Sequence, residues 1–301
     1  MHLTLEGIEN EFDRVKLRLA QTRLRVLLIW LRHHNLDPLI WWRHRGLDSS
    51  DVHIASYPRS GTRWTMFQLI EILTGRPAEF DTIHDMIPLV GSHRRASPLL
   101  PGRGRLIQTH ERYRVEYRKA IYLVRDVRDV VLSQYQRDKR INLYYTNSFE
   151  RYLRAMLQGK IYGFAPWSAH VFSWLDSPLA QTRNLLVVRY EDMRTNAVET
   201  LAQIVKFLGV DADPEVIRRA SANNALERMR AKEDMSTKWR PKQEEGRCVG
   251  KGAVEGWREK LTEAQVQLVQ QYAGAALARM GYPTGGLART KFWQDVRSPV
   301  A

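Results

Sequence analysis

"DVHIASYPRSGTRWTMFQLIEILTG", residues 51–75, is the stretch on which the fold turns. It opens with a short apolar run that stops at Pro58. A Pro/Ser/Gly turn follows. From Thr62 the apolar residues recur at helical spacing as far as Gly75, a residue type suited to ending a helix. The predicted order is strand, loop, helix. Three more apolar runs repeat the strand signal: "GRLIQTH" at 104–110, "KAIYLVR" at 119–125 and "NLLVVRY" at 184–190. Helical patterns follow the last two, in "DVRDVVLSQYQRDKR" and "AVETLAQIVKFLGV". Apolar strands alternating with helices predict a single α/β domain with a mostly parallel central sheet flanked by helices on both faces. "LTEAQVQLVQQYAGAALARMGY" predicts a C-terminal helix with Thr262 as N-cap and Gly281 just past its end. Residues 232–256, polar and containing glycine, read as a long surface loop.

The chain has 301 residues, 44% of them apolar, which is enough for one large α/β domain. We divide it into an N-terminal extension, 1–50, and a domain, 51–301. Within the extension, residues 14–34 form a basic amphipathic pattern, suited to packing on the domain or a partner, or to peripheral membrane contact. The N-terminus has no secretory h-region, and "VLLIWL" at 26–31 is far short of the ~20 residues that span a bilayer. Cys248 is the single cysteine, so a reducing, cytoplasmic location is expected. The formal charge of +14 favours anionic partners. No zinc-finger spacing, RNP-like strand or long basic block points to nucleic acid.

In open α/β sheets, ligands bind outside the carboxyl ends of the strands. The first predicted strand ends in Arg59-Ser60-Gly61-Thr62, the second in His110, the third in Arg125, so these groups should surround one crevice. The loop is not a nucleoside triphosphate P-loop, which reads G-x-x-x-x-G-K-[ST]. It lacks the lysine and the opening glycine, and its cation, Arg59, precedes Gly61. A helix N-terminus with hydroxyls and a guanidinium still suits a phosphate-like anion. His110 could act as a general base on a hydroxyl. Arg125 and Ser133, eight residues apart, could meet only if the helix runs back along the crevice. Taken alone, Arg125 reads equally as a surface ion-pair residue. No His/Cys metal spacing is present. Asp126 stands where a magnesium-binding carboxylate of a kinase would, which keeps a P-loop nucleotide kinase or NTPase as an alternative.

These segments resemble the sulfotransferases that use 3′-phosphoadenosine 5′-phosphosulfate (PAPS). "YPRSGTRW" resembles their Y-P-K-S-G-T-T-W loop, and "VRDVRDVVLSQY" their R-N-P-K-D-x-x-x-S-x-Y motif. "VVRYEDM", "GFAPWSAHVFSWL" and "GKGAVEGWREKLTEAQ" resemble three further family segments, all in the family's order from residue 52 to about 280. The resemblance implies a P-loop-kinase-like sulfotransferase fold, PAPS as sulfate donor with 3′-phosphoadenosine 5′-phosphate (PAP) as product, and no metal. It implies that Arg59, Ser60, Gly61, Thr62 and Arg63 hold the 5′-phosphosulfate. Trp64 and Tyr190 should contact adenine, with Leu226 at the position of the sandwiching aromatic. Arg125, Ser133, Lys251 and Gly252 should hold the 3′-phosphate, and His110 should be the base, assisted by Arg59.

The sequence departs from the pattern in several places. Gln108 replaces a lysine two residues before the base, with Arg63 and Arg112 the nearest replacement cations. Gly250 replaces an arginine, and the family's dimer segment is not visible, which leaves oligomeric state open. These departures imply a divergent, bacterial-type member. They also keep a catalytically silent basic membrane- or nucleic-acid-binding protein as a further alternative. The acceptor pocket is expected from 76–103 and 136–170. These segments hold Phe80, His84, Met86, Tyr144, Tyr145, Phe149, Tyr162, Phe164 and Trp167, which read either as core and rim residues or as the lining for a hydrophobic or aromatic small molecule or lipid.

Overall fold

The computed structural model of the protein describes residues 37–140, 148–161, 164–238, 249–250 and 252–285. The amphipathic 14–34 segment, Tyr144, Tyr145, Tyr162 and Lys251 lie outside the described residues. Four strands form one parallel sheet: β1 (Val52–Ser56), β2 (Leu106–Thr109), β3 (Ala120–Val124) and β4 (Leu185–Arg189). Their spatial order is β2-β1-β3-β4. The chain therefore leaves β1 toward one edge and returns on the other side, and the topological switch lies between β1 and β3. Each strand matches its predicted run to within two residues at each end.

Both faces of the sheet are covered because successive strand residues point to opposite sides. In β1, Ile54 enters one core cluster and Ala55 the other. In β3, Ile121 and Leu123 belong to the first of these clusters, and Ala120, Tyr122 and Val124 to the second. The chain supplies a helical layer for each face. The Ile54 side packs against α2 (Thr62–Thr74), α8 (Ala197–Leu208) and α9 (Pro214–Asn223) through residues such as Phe67, Leu201 and Ile217. The Ala55 side packs against α4 (Val127–Arg140), α5 (Phe149–Leu157), α6 (Trp167–Leu175) and α11 (Glu263–Arg279). The remaining α-helices are α1 (Asp37–His44), α3 (Ile83–Met86), α7 (Tyr190–Thr195) and α10 (Leu226–Met235).

The helix ends follow the expected chemistry. Gly75 closes α2 at φ 69° and donates its N–H to the Glu71 carbonyl at 2.9 Å. Thr262 and Gln265 form a reciprocal capping box on α11. Two expectations change. The loop predicted for 232–256 begins inside α10, which continues to Met235, and its last residue opens a 3₁₀ turn, Gly256–Glu259. The polar composition there marks a solvated helix face as well as a loop. Residues 37–50, grouped by sequence with the extension, are packed on the domain. His44 bonds Tyr117 Oη at 2.8 Å, Arg43 pairs with Glu111, and Arg105 donates to the Gly46 carbonyl at 2.8 Å.

Three histidines are buried as neutral rings. Burial pushes His53 and His93 down to about 4 and His170 to about 3. The unfolded chain binds protons at these rings below pH ~6.5, while the folded chain resists until about 4. Their contribution to stability is therefore present above pH ~6.5 and lost as pH falls. Asp129, raised to about 6 by burial, and Glu191, also raised by burial, act in the opposite sense. The three rings outnumber the two carboxylates, so stability should fall as pH drops from 6 to 5. Urea unfolding at pH 7, 6 and 5 measures it, and equal midpoints would refute the assignment.

Candidate active site

The carboxyl ends of β1, β2 and β3 open on a cavity of about 380 Å³. Its walls include Arg59, Gly61, Thr62, Arg63 and Trp64 from the loop after β1 and the start of α2, His110 from the end of β2, and Arg125 and Ser133 from β3 and α4. Tyr190, Leu226 and Gly252 complete the set drawn from distant segments. Ser60 is buried behind this wall with no partner for its Oγ.

The loop owes its shape to two left-handed residues, Arg59 at φ 73° and Gly61 at φ 92°. Glycine is required at position 61 for a second reason. A Cβ there would sit 2.8 Å from Tyr190 Cδ2. The Arg59 side chain crosses the cavity and donates from Nε to Ser133 Oγ at 2.9 Å. This contact answers how the two anion motifs meet. α4 does run along the crevice, and Ser133 stands on its cavity-facing side.

Arg125 is clamped by donation to the carbonyls of Arg59 at 3.2 Å and Ala253 at 3.0 Å, and its guanidinium lies 4.4 Å from the Tyr190 ring centre. Its Nε is buried without a protein partner. A buried, always-charged donor of this kind suits an anion. Asp129 approaches Arg125 at 4.0 Å and accepts the Trp257 N–H at 2.9 Å. The Trp64 ring is fixed by donation from Nε1 to the Asn224 carbonyl at 2.7 Å, with Tyr190 edge-on at 6.1 Å. Leu226 and Arg194 crowd Gly252 at the same end, where a Cβ would come within 3.4 Å of each.

His110 is held from both sides. Its Nδ1 lies 2.9 Å from the Ser56 carbonyl oxygen, which can only accept, so Nδ1 carries the proton. Nε2 therefore offers a lone pair, and the Gln108 amide Nε2 lies 2.9 Å from it as donor. Ser56 Oγ also links His110 Nδ1, at 3.1 Å, to Thr62 Oγ1, at 2.5 Å. Thus the histidine at the end of β2 is tied to the last residue of β1 and the first of α2. The sequence reading missed Ser56, Asp129, Arg194 and Asn224. Ser56 was detectable as a hydroxyl at the strand end just before the loop. The others become visible only through contacts made across the fold.

Asp126, the carboxylate that kept the kinase alternative, has both oxygens on Arg128, at 2.9 and 2.6 Å. Of the two replacement cations, Arg63 lines the cavity, whereas Arg112 is not part of its wall.

The expected acceptor-lining aromatics are mostly elsewhere. Phe80 is buried against Phe67 with ring centres 4.7 Å apart, and Trp167 is a fully buried core residue. Phe149 packs edge-on against Tyr135 at 5.1 Å and contacts the Trp257 cluster. Met86 packs on the Ile54-side core, and His84 is exposed in α3. None of these five lines the cavity. The physical reason is that both faces of a covered sheet must be filled, and large rings are the most effective filler. Phe164 does line the cavity.

A parallel sheet with its switch point at a cation-rich loop, facing the His110 imidazole, suits group transfer from an anionic donor. The sequence profile described as "Sulfotransferase domain" matches residues 49–281. Sulfotransferase 2A2 of Mus musculus is 30% identical over 256 residues, covering 78% of this chain and 86% of that protein. The amine sulfotransferase of Oryctolagus cuniculus is 27% identical, covering 71% and 76%. Among solved structures, mouse sulfotransferase SULT7A1 complexed with PAP superposes with TM-score 0.61 at 22% identity, covering 82% of this chain and 95% of that one. Retinol dehydratase in complex with retinol and PAP gives 0.62 at 19%, covering 79% and 84%. The chain belongs to the sulfotransferase family and is an enzyme of that class.

Proposed function

We propose that this enzyme transfers the sulfuryl group of PAPS to a hydroxyl, or an amine, of an acceptor, releasing PAP. The observation that carries the reading is the Arg59–Ser133 contact, which joins the loop after β1 to the helix after β3 in the cavity that His110 lines. The groups present fit such a donor. Arg125 keeps a buried N–H to offer, α2 brings its N-terminal turn to the cavity wall, and Trp64 and Tyr190 stand as a ring pair for a purine. Bound PAPS supplies an activated sulfuryl group.

The chain's own part is then positional and electrostatic. Arg59 brings positive charge to the oxygen that becomes the leaving group. Arg125, with Ser133 and Gly252, holds the far phosphate. His110, its Nδ1–H fixed on the Ser56 carbonyl, takes the acceptor's proton at Nε2 in a direct, in-line transfer. Lys251, outside the described residues, is assigned to the 3′-phosphate on sequence alone. No metal ligand enters this scheme, in which fixed guanidinium groups stabilise the developing charge. The reading also extends to a cytoplasmic enzyme whose N-terminal segment contacts a membrane surface.

Isothermal titration separates this reading from a nucleotide kinase. PAP binds at least ~10-fold more tightly than ATP–Mg²⁺, and Arg125→Ala weakens PAP by at least ~10-fold through loss of charge-assisted bonds. Preference for ATP–Mg²⁺ would support the kinase instead.

A further inference from the structure

Arg194, a half-buried side chain of α7, lines the cavity beside groups already assigned to the donor. It stands four residues after Tyr190, so the two side chains leave one face of that helix, and both reach the cavity wall. Its guanidinium carbon lies 5.6 Å from the centre of the Trp64 ring. It also abuts Gly252, where an added Cβ would meet that carbon at 3.3 Å and Nη2 at 3.4 Å. A side chain at 252 would therefore press on this guanidinium, and glycine leaves it room.

Arg125 reaches the same segment. It donates to the carbonyl of the next residue, Ala253, at 3.0 Å, and lies over Tyr190, the ring that meets Trp64 edge-on. Consecutive Cα atoms are about 3.8 Å apart, so the two guanidinium groups converge on residues 252–253. They are held differently. Arg125 is fixed by two carbonyls, whereas Arg194 makes no hydrogen bond or ion pair with another described residue and rests on the Trp64 ring. A guanidinium that backs onto a ring at a cavity wall suits a phosphate monoester, which its planar fork matches with two bonds. Gly250, in place of an arginine, lines the same cavity without a charge.

We propose that Arg194 joins Arg125 in holding the phosphate at the far end of the donor, and so selects nucleotides that carry a 3′-phosphate. The inference rests on the sulfuryl-transfer reading above. It adds to that phosphate a cation from α7, a segment in which the sequence pointed to Tyr190 alone. A charge-assisted, bidentate contact to a phosphate is worth far more than one to a ribose hydroxyl. Loss of Arg194 is therefore felt by a nucleotide with the 3′-phosphate and not by one without it.

The test is calorimetric titration of the full chain with PAP and with AMP, which lacks the 3′-phosphate. Arg194→Gln should weaken PAP by at least ~10-fold and AMP by less than ~2-fold, as expected when residue and phosphate form a direct pair in a double-mutant cycle. Arg194→Lys, which keeps the charge but not the fork, should fall between wild type and Arg194→Gln for PAP. Arg218→Ala removes an exposed arginine of α9 paired with Glu215 and controls for net charge. It should change either affinity by less than ~2-fold. Equal losses for PAP and AMP in Arg194→Gln would mean that Arg194 acts through Trp64 on the base, and overturn the inference. An unchanged PAP affinity, or an equal loss in Arg218→Ala, overturns it as well. Should Arg194→Gln fail to fold, Arg194→Lys decides: a lowered PAP-over-AMP ratio supports the inference and an unchanged ratio overturns it. Failure of the wild-type chain to bind PAP would instead refute the transfer reading beneath it.

Discussion

His110→Ala lowers kcat by at least ~10²-fold, with PAP affinity changed by less than about threefold. The size follows from the usual contribution of a positioned general base. The selectivity follows from where the ring is held. The Ser56 carbonyl and hydroxyl and the Gln108 amide hold it, whereas Arg125 is fixed by the Arg59 and Ala253 carbonyls and Trp64 by the Asn224 carbonyl. Removing the ring therefore leaves the anion-holding groups in place. Single-turnover transfer with saturating PAPS, alongside PAP titration, checks both halves. Retained turnover would remove His110 from the chemical step. A matching loss of PAP affinity would mean that it acts by supporting the loop through Ser56 and Thr62.

Gly61→Ala should weaken PAP binding by at least ~30-fold and destabilise the protein by about 2–5 kcal/mol, two costs adding at one atom. The backbone stands at φ 92°, where an L-residue is strained. The new methyl would also lie 2.8 Å from Tyr190 Cδ2. Tyr190 has little room to yield, because Arg125 stacks on its ring at 4.4 Å and is itself clamped to two carbonyls. A shift at position 61 is thereby passed to the residue assigned to the far phosphate. Gly75→Ala provides the comparison. Position 75 has φ 69°, yet its Cβ would meet nothing within 4 Å, so only the backbone cost of about 1 kcal/mol should appear, with PAP affinity intact. Equal behaviour of the two variants by thermal melting and titration would refute the role given to Tyr190.

Much of this architecture is legible in the sequence for local reasons. An apolar run of five to seven residues between turn-formers is too short for a stable helix and pairs its backbone best as a strand in a sheet. A 3.6-residue apolar period ending at Gly75 or Gly209 specifies its own helix and its own stop. Strand ends then locate a crevice before any contact is known. The acceptor pocket was not legible for the opposite reason. Phe80, Phe149 and Trp167 have the composition of a ligand site, but composition does not tell which side of a helix faces a core and which a cavity.

By itself, the sequence determined the alternation of strands and helices, the loop of Arg59 to Thr62 at a helix start, and the histidine at the end of a strand, because each is a property of neighbouring residues. Only the tertiary structure decided that Arg59 reaches Ser133, that Tyr190 makes glycine obligatory at 61, and that Ser56 sets the tautomer of His110. Those relations join residues between 54 and 129 positions apart. They depend on strand order and on which face of α4 meets the crevice, and neither is encoded in any local stretch.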